Sequence, residues 1–150
     1  MKFILTRELG RLAKWLRILG FDTAYEVEGS VSSLIIEALR ESRIIITRNH
    51  RLPASRGIKT VLLKAETIKE QLGEVLETLK ITPVPESMFS RCIICNEELL
   101  EIEKEVIKNK VPEFVFKTQT RFIICPQCKR IYWQGTHWGN VQNTLKEISS

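Results

Sequence analysis

Residues 2–20 read KFILTRELGRLAKWLRILG. The first four, Lys2–Leu5, form a short apolar run with the composition of a buried strand. Leu9, Leu12, Leu16 and Leu19 then recur at helical spacing and make one apolar stripe. Arg7, Arg11, Lys14 and Arg17 fall mostly on another face, and Gly20 stands where a helix stops. A strand that passes directly into an amphipathic helix opens an α/β layer.

Outward from this start the alternation continues. A second strand is expected near residues 23–25. Residues 30–42, SVSSLIIEALRES, carry a helix-start signal at Ser30 to Ser33 and an apolar stripe through Leu34, Ile35, Ala38 and Leu39. A third strand, residues 43–47, is followed by a polar loop, RNHRLPASRG, and by the strand-like IKTVLL. Residues 66–79 make an amphipathic helix through Ile68, Leu72, Val75 and Leu79. This order predicts an α/β fold with a mostly parallel sheet and flanking helices over residues 1–80. KITPVPESMF then breaks the pattern, because two prolines within three residues stop a helix and discourage a central strand. A linker is expected at 81–90, and a second, cysteine-bearing segment with a short C-terminal helix at 91–150.

The chain has 150 residues, 43% of them hydrophobic, enough for one ordinary domain or two small ones. No apolar run approaches the roughly 20 residues of a membrane helix, and the short, charge-interrupted start MKFILTRELG does not read as a signal peptide. No membrane partner and a cytoplasmic location are therefore expected. The net charge is +5, and residues 1–80 hold 14 Lys/Arg against 10 Asp/Glu. A modest positive field favours a polyanion such as nucleic acid, although ordinary solubility explains it equally well.

All four cysteines lie in the second segment, as Cys92-x-x-Cys95 and Cys125-x-x-Cys128. Two residues between thiols let one tight turn present both sulfurs to one ion, and two such turns complete a closed tetrahedron. Disulfides or a redox dithiol are the alternatives, the latter without the helix start that such a motif uses. Four thiolates leave no open position, so a Zn²⁺ held by Cys92, Cys95, Cys125 and Cys128 folds the segment and does not catalyse.

Downstream lies KRIYWQGTHWGN, which packs Lys129, Arg130, Tyr132, Trp133, His137 and Trp138 together. Aromatic faces stack on unpaired bases and flanking cations hold phosphates. The plainer reading is that Tyr132 and Trp133 cover a small core around the metal. A second basic group lies in the first segment. Ile44, Ile45, Ile46 and Thr47 empty into Arg48, Asn49, His50 and Arg51, and such strand ends are where open α/β folds bind ligands. If this strand runs parallel beside residues 2–5, Arg48, His50 and Arg51 meet Arg7, Arg11 and Lys14 at one sheet edge. A solvated basic helix face is the alternative for the last three.

Taken in order, KFIL…LGRLAKWLRILGFDT, RIIITRN, SRCIICNEEL and FIICPQCKRIYWQGTHW resemble the PIN-like Mut-7 C-terminal RNase domain family. The likeness spans residues 2–138. It implies a small PIN-like α/β domain joined to a C-terminal, β-rich zinc ribbon, with an RNA-directed role. It also implies carboxylates at the C-terminal sheet edge that bind Mg²⁺ or Mn²⁺ and activate water. This chain departs at each such position. Thr6 stands after the first strand, Val31, Ser32 and Ser33 at the start of the second helix, and Asn49 after the third strand. Neutral oxygens do not offset the dehydration of a hard dication, so no Mg²⁺ or Mn²⁺ site and no confident catalytic residue is expected. Asp22 and Glu28 are the fallback acids, with Glu8 and Glu26 nearby. Three functions follow as expectations: a non-catalytic RNA-binding protein, free or within a larger ribonucleoprotein; an active ribonuclease using displaced carboxylates; or a zinc-ribbon module that binds a protein.

Overall fold

In the computed structural model, which describes residues 1–26, 30–52, 57–133 and 143–147, the first strand is β1, Lys2–Leu5. Its residues Phe3, Ile4 and Leu5 are all fully buried, as a strand covered on both faces must be. A one-turn 3₁₀ segment, Arg7–Leu9, leads into α1, Gly10–Ile18. The expected stripe of Leu9, Leu12, Leu16 and Leu19 is buried. Arg17, expected on the polar face, is also buried, at 9% exposure. β2, Asp22–Tyr25, α2, Val31–Glu41, β3, Ile44–Thr47, β4, Thr60–Leu62, and α3, Ile68–Leu79, follow.

The helix signal at Ser30 acts where the sequence puts it: its hydroxyl accepts the Ser33 N–H at the start of α2. At the start of α3 the Thr67 hydroxyl, a cap outside the expected signals, accepts the Glu70 N–H. Each satisfies one of the backbone donors that a helix start leaves without a partner. Leu39 departs from its expected stripe and is 51% exposed, while Leu34 and Ala38 pack on Ile4 and Ile45.

β1 to β4 form one parallel sheet in the order β2-β1-β3-β4. β1 and β3 are parallel neighbours, with Leu5 opposite Ile46. Residues that follow these strands therefore emerge side by side at the C-terminal sheet edge. This sheet and its helices lie in a compact unit that runs over Met1–Asn96. The prolines at 83 and 85 do not end it. Pro85–Ser87 makes a 3₁₀ turn, and the Phe89 N–H donates to the Ile18 carbonyl at the end of α1.

The second compact unit, Glu97–Ser150, is built on a three-stranded antiparallel sheet, β5, Leu100–Ile102, β6, Phe122–Ile124, and β7, Ile131–Trp133. A short helix absent from the expected pattern, α4, Glu113–Thr118, lies between β5 and β6. Among the described residues, no helix is long and apolar enough to cross a membrane.

Candidate functional sites

At the C-terminal edge of the parallel sheet the chain leaves β1 at Thr6 and β3 at Thr47. The Thr6 N–H donates to the Ile46 carbonyl, which extends the ladder by one residue. This brings the two hydroxyls to 2.9 Å. The 3₁₀ turn after Thr6 swings Glu8 back over both strands. Its carboxylate accepts from the Thr6 hydroxyl at 2.7 Å, from the Arg48 N–H at 3.1 Å and from Thr47 at 3.5 Å. Read as a sequence, Glu8 sits one helical step inside; in three dimensions it is the acid that staples this edge. Partial burial pushes its carboxyl up, but the bonds from Thr6, its own N–H, Arg48 and Thr47 outweigh this and hold it below the usual range.

Asn49, the neutral residue at the third expected acid position, is used locally. Its N–H donates to the Thr47 hydroxyl, and its Oδ1 accepts the Arg51 N–H. Ser32 lies exposed in the first turn of α2. Arg7, Arg11, Lys14, Arg48 and Arg51 are exposed, and none makes an ion pair among the described residues. His50 is exposed beside them. A cavity of about 420 Å³ opens beside α1, lined by Arg11, Lys14, Arg17, Tyr25, Ile93 and Ile94 among others. The Tyr25 hydroxyl donates to the Arg7 carbonyl, which ties the end of β2 to the turn before α1.

Asp22 stands at the opposite edge, at the first residue of β2. Its carboxylate meets Arg43 Nη1 at 2.8 Å, Asn96 Nδ2 at 2.7 Å and Arg91 Nη2 at 3.9 Å. Burial raises its carboxyl, and Asn96, Arg43 and Arg91 outweigh that and lower it. Arg43, 8% exposed, also donates to the Phe3 and Asp22 carbonyls. This network joins the N-terminal ends of three strands. Glu28, the other fallback acid, and His137 and Trp138 lie outside the described residues.

The four cysteines converge. Their sulfurs all lie within 4.8 Å of one another, with Cys92 and Cys125 fully buried. The two CxxC turns repeat one geometry. Cys95 N–H points at Cys92 Sγ at 3.4 Å, and Cys128 N–H at Cys125 Sγ at 3.5 Å. Asn96 and Lys129, each just after the second cysteine, adopt left-handed backbone at φ 67° and 66°. Four sulfurs bound at about 2.3 Å from a tetrahedral ion would sit about 3.8 Å apart, so this donor set fits one thiophilic dication and is consistent with zinc. Lys129 and Arg130 are exposed on the second turn. Trp133 is 36% exposed, and its ring and that of Phe122 meet in a T-shaped arrangement at 6.4 Å.

The Mut7-C RNAse domain family matches residues 1–145 of this chain. The chain belongs to that family. No curated protein and no solved structure matches it. Membership supports a nuclease-like fold with an RNA-related role.

Glu8 gives a pH-dependent test of the edge. A carboxyl lowered in the folded state stabilises fully above its unfolded value near 4.5 and loses that contribution as pH falls through the folded value. Glu8→Gln is expected to cost about 1 kcal/mol at pH 7, a hydrogen-bond figure reduced for its exposed side. The difference from the parent should shrink as denaturant unfolding is followed down to about pH 3. A pH-independent difference would show that the charge on Glu8 plays no part.

Proposed function

We propose that this protein is a non-catalytic RNA-binding member of its family. It carries a structural Zn²⁺ on Cys92, Cys95, Cys125 and Cys128 and acts on RNA alone or within a ribonucleoprotein. The observation that carries this reading is the chemistry of the C-terminal sheet edge. Thr6, Ser32 and Asn49 supply neutral oxygens where a two-metal nuclease needs anions. Among the described residues, the one carboxylate held across β1 and β3, Glu8, already accepts three hydrogen bonds from its neighbours. Around this edge stand Arg7, Arg11, Lys14, Arg48 and Arg51 without ion-pair partners among the described residues. Removing acids removes repulsion of phosphate, and the unpaired cations supply attraction. Tyr25, Ile93 and Ile94 offer an aromatic and apolar wall for a base in the adjoining cavity. His50, Lys129, Arg130, Trp133 and His137 extend the candidate RNA-contacting set. Four thiolates complete the shell of the zinc, so it holds the chain and has no open position for a substrate.

Binding of an unstructured single-stranded RNA, followed by fluorescence anisotropy over a salt series, tests the reading. Five phosphate contacts give a log–log slope near −3.5, and Arg7→Ala/Arg11→Ala/Lys14→Ala should flatten it by about 2. At about 1 kcal/mol per cation the triple variant weakens binding roughly hundredfold. Binding that ignores salt would sink the proposal. In a parallel cleavage assay the parent is expected to be inert with Mn²⁺, whereas Thr6→Asp/Asn49→Asp gains chelator-sensitive cleavage. A parent that cleaves, and that Glu8→Gln silences, would instead make Glu8 a displaced catalytic acid.

A further inference from the structure

The first metal turn is held by a side chain that the function so far leaves unused. Arg17, on the buried face of α1, sends Nε to the Thr23 carbonyl at 2.9 Å. Its Nη1 reaches the carbonyls of Ile93 and Ile94, the two residues between Cys92 and Cys95, at 2.9 and 3.1 Å. Thr23 belongs to β2, the outermost strand of the parallel sheet. Its N–H is taken by Asn96 Oδ1 at 2.9 Å. The open edge of the sheet at Thr23 is therefore closed on both its donor and its acceptor by the metal turn and its guanidinium anchor. An unprotected strand edge is otherwise a template for unwanted pairing.

The charge is as specific as the geometry. An arginine that is 9% exposed needs compensation, and a dication on four thiolates carries a net charge of −2. Burial holds the Arg17 guanidinium below its ordinary value, against the opposing pull of Cys92, Cys95 and Asp22. Five N–H groups in a planar fork suit the task of reaching a strand and a turn at once, which a lysine ammonium does less well.

We infer that Arg17 is the positioning residue of the metal turn, tying it to the edge of the parallel sheet so that metal binding and the α1–β2 region are coupled. The inference rests on the metal reading above. Groups that orient metal ligands without touching the ion typically change metal affinity ten- to hundredfold.

The test uses the full zinc-loaded chain with Arg17→Gln and Arg17→Lys. Release of zinc to a coloured chelator should be roughly ten- to hundredfold faster in Arg17→Gln, with Arg17→Lys between it and the parent. The Co²⁺-substituted forms should keep one tetrathiolate spectrum throughout, since the ligands are unchanged. In the parent, stripping the metal should speed amide exchange in α1 and Asp22–Tyr25, and this measurement decides the matter if Arg17→Gln does not fold. Metal bound at one ion per chain but released equally fast from all three forms overturns the role of Arg17. Exchange in α1 and β2 that is indifferent to chelation does the same. A chain that binds no metal overturns the metal reading itself, and this inference with it.

Discussion

Stripping the metal with a chelator is expected to unfold the Glu97–Ser150 unit while the parallel sheet survives. The reason is how little else holds the second unit. Its buried apolar side chains among the described residues are Ile107, Phe122 and Cys125. At about 1.5–3 kcal/mol each, Ile107 and Phe122 fall far short of the backbone entropy lost on ordering such a segment. Its three strands are three residues long, and α4 has no side-chain cap at its start and exposes Phe114. A structural zinc site is worth about 10–16 kcal/mol at pH 7, more than the whole stability of many domains. Hydrogen exchange on the stripped chain should show Leu100–Ile102 and Phe122–Ile124 open, with β1 and β3 still protected. Cys92→Ser or Cys125→Ser should reproduce this without chelator. Unchanged protection in β5 and β6, with metal loss verified by native mass spectrometry, would mean that packing alone sustains the unit.

The second large effect is expected at a single glycine. Gly20 ends α1 at φ +96°, and a Cβ built there would lie 2.2 Å from the Ser87 carbonyl oxygen and 2.8 Å from its carbon. Both atoms are backbone and cannot rotate aside. The positive φ alone costs a β-carbon about 1–2 kcal/mol, and forced overlap in a packed site about 1–3 kcal/mol. Gly20→Ala should therefore destabilise the Met1–Asn96 unit by about 2–4 kcal/mol and lower its Tm by about 10 °C or more. The contact is why residues 81–90, whose prolines read as a linker, lie against the end of α1. A loss under about 1 kcal/mol would show that the 83–89 segment moves freely to make room.

Much of the first unit is legible in single residues and short periods. Three consecutive buried residues in β1, the leucine stripe of α1, Ser30 as a cap, and Gly20 as a stop each act over one to four residues. Local backbone preference and side-chain periodicity decide them wherever the rest of the chain lies. The two CxxC spacings belong to the same class, because a two-residue turn between thiols is itself a local structure.

What distance along the chain hides, only the tertiary structure settles. Glu8 becomes the acid over the C-terminal edge because β1 and β3 are parallel neighbours, which places Arg48 and Thr47 beside residues some forty positions earlier. Asp22, an available acid on paper, is committed at the opposite edge to Arg43, Asn96 and Arg91. Arg17 follows the period of a polar face yet is buried, because the carbonyls that satisfy it come from Thr23 and from the metal turn seventy-six and seventy-seven residues on. Sequence alone determined which elements form in the first unit and which thiols pair into turns. The register of the parallel sheet and the docking of the first metal turn decided which charges are buried, because a buried ion depends on partners that are neighbours only in space.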